Sequence, residues 1–121
     1  MPDEFAPRAG PGIVQSPGYA DGAGHASELA YLWPNFEQHG VRISSLFDAG
    51  ERQLSHQIVE YWGAFVKAGS PRVAGQPSWP PYTATSAVQL SLRARGQSRL
   101  LDNATISTEH HCSLWNELTG N

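Results

Sequence analysis

The sequence predicts a mixed α/β chain, helices with a few edge or terminal strands, and three observations carry that reading. Leu54, Ile58, Tyr61, Trp62, Phe65 and Val66 recur at steps of three and four residues, the spacing of one helical face. Val88, Leu90 and Leu92 alternate in "AVQLSLR", the spacing of a half-buried strand. Twelve glycines and nine prolines in 121 residues make the chain loop-rich, which suits part of a large, irregular enzyme better than an idealised domain.

Residues 1–24 hold Pro2, Pro7, Pro11 and Pro17 with five glycines, so extended chain and loop are expected, with at most a short strand near Phe5. "SELAYLW" follows, with Leu29, Leu32 and Trp33 at helical spacing, Ser27 as the expected cap and Pro34 as the stop. The long helix starts at a capping box, Asp48 with Glu51, and stops at Gly69 and Pro71. Three prolines exclude regular structure from "PSWPPY". "RGQS" reads as a turn, and residues 100–106 as either a second strand or an irregular return. "STEHHCSLWNEL" places Cys112, Trp115 and Leu118 on one stripe of a closing helix.

Composition excludes several functions. Net charge is −3 and no Lys/Arg cluster is present, against nucleic acid as a partner. Arg93, Arg95 and Arg99 form a locally basic stretch, read as a solvated turn in preference to an anion site. No apolar run approaches the roughly 20 residues of a membrane span, and "MPDEFAPRAG" is acidic and proline-broken, unlike a signal peptide. The single cysteine, Cys112, rules out an internal disulfide framework and a multi-cysteine zinc site.

Little in the residues forms a complete catalytic or metal site. His110 and His111 are neighbours on an expected helix, about 100° apart, so they do not chelate one ion together. His25 and Glu28 form His-x-x-Glu without the second histidine of the helical zinc motif. Gly-x-Ser-x-Gly, the elbow that exposes a hydrolase serine, is missing around both Ser70 and Ser98. Cys112 lies on an expected apolar face and reads as an inert thiol. His25 remains, between a turn residue satisfied by backbone or water and a catalytic imidazole. Gly22 and Gly24 allow backbone angles that present a ring, and the helix that follows anchors the loop. Glu28 either orients that loop or is an ordinary surface carboxylate.

"GAGHASELAYLW" resembles the histidine motif of the type-B carboxylesterases, Gly-Ala-x-His-Gly/Ala-x-Glu-Leu-x-Tyr-x-Phe. Gly22, Ala23, His25, Ala26, Glu28, Leu29 and Tyr31 match, and Trp33 stands where phenylalanine is commoner. Further along, "IVEYWGAFVKAGSP" is similar to the family's Trp-x-x-Phe-Ala-x-x-Gly-x-Pro through Trp62, Phe65, Gly69 and Pro71. "WPPY" is similar to its Trp-Pro-x-Tyr, and "EHHCSLWNEL" to its His-x-Cys-x-Phe-Trp, with Leu114 in place of phenylalanine. The four motifs span residues 20–118.

The resemblance implies the C-terminal fragment of an α/β-hydrolase fold, lacking the nucleophile-elbow half. Its parts would be a truncated strand and loop (1–20), the histidine loop and helix (21–36), an amphipathic helix (48–69), and a Trp-Pro loop with strands and a last helix (77–121). It implies that His25 is the general base of a Ser–Glu/Asp–His triad, acting on a small-molecule carboxylic ester without cofactor or metal. Glu28 would be a supporting carboxylate near the histidine, not the triad acid. The serine, the acid and the oxyanion-hole glycines would lie upstream of Met1, and "DEF" looks like the tail of a family strand. Cys112 matches a cysteine that pairs upstream in animal members; with no second cysteine here, a free thiol is expected. Alone, such a chain is expected to be inactive. A non-catalytic remnant or binding scaffold of the same fold, and one half of a split hydrolase complemented by an N-terminal chain, are the alternatives.

Overall fold

A computed structural model describes residues 25–120, so the strand near Phe5 and the loop through Gly24 lie outside the described residues. Helix α1 (Leu29–Leu32) is followed by a two-residue hairpin, β1 (Glu37–Gln38) and β2 (Val41–Arg42), and a 3-10 turn at Ile43–Leu46. Helix α2 (Ala49–Ala68) is the long element. After it come the antiparallel hairpin β3 (Val88–Ser91) and β4 (Arg99–Asp102), then α3 (Asn103–Glu109) and α4 (Cys112–Thr119).

The ends of α2 fall where local chemistry puts them. Glu51 N–H donates to Asp48 Oδ1 at 2.9 Å and Asp48 N–H to Glu51 Oε2 at 2.7 Å, the reciprocal bonds of a capping box. Gly69, at φ 68°, adopts the left-handed conformation and donates to Phe65 O at 2.7 Å before Pro71 ends the run. Ser27 does not cap α1. The helix begins at Glu28 without a side-chain bond, because Ala26 (φ 65°) bends the chain into a backbone turn in which Leu29 N–H donates to Ala26 O.

The core joins α1, α2 and the β3–β4 turn through Tyr31, Ile43, Phe47, Leu54, Ile58, Tyr61, Leu92 and two alanines. The predicted stripe of α2 is buried only in its first half. Leu54, Ile58 and Tyr61 are covered, whereas Trp62 and Phe65 are largely open and Val66 is 85% exposed. Among the described residues, the last turns of α2 meet chiefly the proline loop, whose Trp79 packs edge-on to Tyr61 and tilted against Trp62.

The β3–β4 turn is not a simple solvated loop. Arg95 (φ 59°) and Gly96 (φ 69°) form its centre, with Gln97 N–H donating to Ala94 O, as hairpin twist favours. Arg95 reaches back to Asp48, Nη2 to Oδ2 2.6 Å, tying the turn to the start of α2. That approach explains Gly50: a Cβ there would lie 2.7 Å from Arg95 Cγ. Arg93 Nε donates to Ser91 Oγ, so a second arginine of the stretch is engaged within the hairpin.

Residues 100–106 divide between the end of β4 and the start of α3, which Asp102 caps through Thr105 N–H at 2.8 Å. Hydrogen bonds from the Thr105 side chain and backbone hold the Asp102 carboxyl below its usual range. The closing segment is two helices. His110 ends α3, and His111, left-handed at φ 53°, precedes α4, so the two histidines sit at a break instead of on one helix. No residue of α4 is buried; Trp115 and Leu118 of the predicted stripe are exposed, and the free thiol of Cys112 is half-buried.

Candidate active site

His25 is exposed, on the turn at 25–28 that leads into α1, and Glu28 is half-buried where the helix begins. Among the described residues no hydrogen bond or ion pair joins the two side chains. The turn is built from backbone: Leu29 N–H bonds Ala26 O, and Tyr31 and Leu32 N–H both bond Glu28 O. Holding Ala26 in the left-handed region costs roughly 1–2 kcal/mol for a residue with a Cβ. Ala26→Gly removes that strain and gives back part of it as lost chain entropy. The expected result is a gain of about 0.5–1 kcal/mol in urea unfolding; a loss would show that the alanine methyl is needed where it sits.

Four residues of helix are too few to persist alone, so the position of the histidine turn depends on what α1 is fastened to. Tyr31 is buried, its ring stacked on Phe47 at 4.5 Å. Its carbonyl accepts from Ser55 Oγ of α2 at 2.6 Å, and Pro34 O accepts from Ser44 Oγ at 2.6 Å. Burial, then the Glu51 and Asp48 carboxylates, push the Tyr31 phenol far above its ordinary range, against a smaller opposing pull from Arg95. Tyr61 moves the same way by burial.

These raised values set the sign of an alkaline effect. The folded phenols keep their protons at pH values where the unfolded ones, at about 10, lose theirs. Stability is therefore complete below about pH 10 and falls above it, by roughly 1.4 kcal/mol per pH unit for Tyr31, with Tyr61 acting in the same direction. Tyr31→Phe should visibly reduce that slope in urea titrations between pH 9 and 11.5. An unchanged slope would mean that Tyr31 ionises as freely folded as unfolded.

A separate apolar groove of about 660 Å³ lies between the end of α2 and the proline loop, lined by Tyr61, Trp62, Phe65, Pro71, Trp79 and Tyr82 among others. No residue of the histidine turn lines it. Tyr61 Oη donates to Pro77 O at 2.5 Å and Asn103 Nδ2 to Tyr82 Oη at 2.9 Å, pinning the loop at both ends. Sequence reasoning did not foresee this groove, nor the Ser55 and Arg95 anchors; the aromatic residues past the covered half of α2 were the available signal. Among the described residues no three His, Cys, Asp or Glu side chains gather as a metal-binding group, and no helix is long and apolar enough to cross a membrane.

The fold and the turn define a helix-and-strand module that presents one imidazole from an anchored loop. The model of the carboxylesterase family matches residues 6–115, and the chain belongs to that family. It is 35% identical to acetylcholinesterase of Gallus gallus over 77 residues, 53% of this chain and 10% of that protein. Identity to carboxylesterase 4A of Bos taurus is 30% over 86 residues, 70% of this chain and 14% of the relative. With acylcarnitine hydrolase of Rattus norvegicus it is 33% over 58 residues, 48% of this chain and 10% of the other. The chain thus spans between 10% and 14% of the curated relatives it matches.

Proposed function

We propose that this chain is the C-terminal part of a carboxylic-ester hydrolase of the α/β-hydrolase fold and that His25 is its general base. The observation that carries the reading is an exposed imidazole on a turn fastened to a buried core, within the motif that resembles the family's histidine loop. Membership of the carboxylesterase family, and relatives named as esterases or hydrolases, support the same chemistry.

In this mechanism a serine attacks the carbonyl carbon of a small carboxylic ester while the neutral imidazole of His25 takes the hydroxyl proton. The imidazolium returns that proton to the leaving alcohol, and a water activated by the same ring then hydrolyses the acyl-serine. A triad carboxylate holds the ring's tautomer; Glu28, at the start of α1, supports the turn. The serine, acid and oxyanion donors come from a segment outside these 121 residues, in the same longer protein or on a complementing chain. Without oxyanion donors the main stabilisation of the transition state is missing. The 121 residues alone should therefore hydrolyse p-nitrophenyl acetate no faster than an equal concentration of free imidazole and thiol groups, and without saturating. Joined to the segment bearing the Gly-x-Ser-x-Gly elbow, they should support turnover that His25→Ala removes. Turnover by the short chain alone would overturn the proposal.

A further inference from the structure

We propose that Ser55 is a positioning residue for His25: its hydroxyl, on the long helix α2, holds the Tyr31 carbonyl of the short helix that carries the histidine turn. The contact is a 2.6 Å hydrogen bond between residues 24 apart in sequence. It stands on geometry alone; its catalytic consequence rests on the reading of His25 as general base.

The bond is unusual for its donor. A serine in the middle of a helix ordinarily turns back to a carbonyl of its own helix, four residues earlier, or faces solvent. Ser55 does neither and points outward to α1. The acceptor explains why. The carbonyls in the last turn of any helix have no partner within it, and in a four-residue helix that includes most of them. Tyr31 is 1% exposed, so an unmet carbonyl there would be costly. Ser55 donates to it from the most regular element of the fold.

The path from that bond to His25 is short and continuous. Tyr31 N–H bonds Glu28 O, Leu32 N–H bonds the same oxygen, and Leu29 N–H bonds Ala26 O, next to the histidine. The Tyr31 ring on Phe47 fixes the side of α1 that faces the core. Ser44 Oγ, bonded to Pro34 O, fixes the chain after the helix but not the turn before it. Ser55 is thus placed to set the height of α1 against α2, and with it where the imidazole stands. A displacement of about 1 Å at a reacting group can cost on the order of a hundredfold in rate.

The test uses the 121-residue chain with Ser55→Ala and Ser55→Thr, the second keeping a hydroxyl. Amide exchange of Tyr31, Leu32 and Trp33 should quicken roughly tenfold in Ser55→Ala, while Leu90 and Leu100 of the β3–β4 hairpin stay within about twofold. Ring-carbon relaxation of labelled His25 should report larger motion in Ser55→Ala and return to the wild-type value in Ser55→Thr. Uniform quickening across both regions, unchanged His25 relaxation, or failure of threonine to restore it would each overturn the proposal. None of these readouts needs turnover. An ester assay of His25→Ala in the serine-bearing protein judges the catalytic reading separately.

Discussion

Replacing His25 with alanine in the serine-bearing protein should lower kcat for ester hydrolysis by about 10⁴-fold or more, with little change in KM. The size follows from the role. The serine hydroxyl is a weak nucleophile at neutral pH, and Glu28, the other ionisable side chain of the turn, is half-buried at its far end with no hydrogen bond to His25. Substrate binding, which does not depend on the proton transfer that the ring performs, should survive. A rise in KM at constant kcat would instead make His25 a binding residue. Stability should hardly change, because the side chain is exposed and the turn is made by backbone bonds.

The second large effect is on folding. Ile58 is fully buried in the middle of α2, in the cluster with Leu54, Tyr61 and Tyr31. Ile58→Ala leaves a cavity and should cost about 2–5 kcal/mol, a large share of the 5–15 kcal/mol typical of whole domains. Val66→Ala, two turns further along the same helix and 85% exposed, should stay within about 0.5 kcal/mol. Parallel urea titrations of the two variants decide whether α2 has one buried half and one open half. Equal losses would mean that the outer half is covered as well.

The division of α2 shows what was legible in the sequence. Its ends were, because the Asp48–Glu51 box and the Gly69 stop are local signals within a few residues of the chain. Its periodicity was also legible, yet a period states which residues share a face and not how far along that face a partner extends. Only the packing of α1 and Trp79 decides that Tyr61 is covered and Val66 is not. The Val88–Leu92 alternation found β3, although the strand proper stops at Ser91 and Leu92 is buried beyond it.

What escaped was chiefly long-range or conformational. The Arg95–Asp48 pair crosses 47 residues, so the arginines looked solvated in sequence. The helix break at His111 depends on one left-handed residue inside an otherwise helical pattern. The β1–β2 hairpin is two residues per strand around His39 and Gly40, both at positive φ, too short for any alternation to register. His25 and Glu28 were singled out by their motif, whereas Ser55 carries no motif and shows itself only through the carbonyl it meets.

Chemical rescue shows whether His25 moves a proton. In the serine-bearing protein with His25→Ala, added imidazole should restore p-nitrophenyl ester hydrolysis in a saturable way, above its own background reaction and without affecting the wild type. If His25→Ala hydrolyses the ester as fast as the wild type with no imidazole present, His25 is not the base and the account of this chain as the histidine-bearing part of the hydrolase fails.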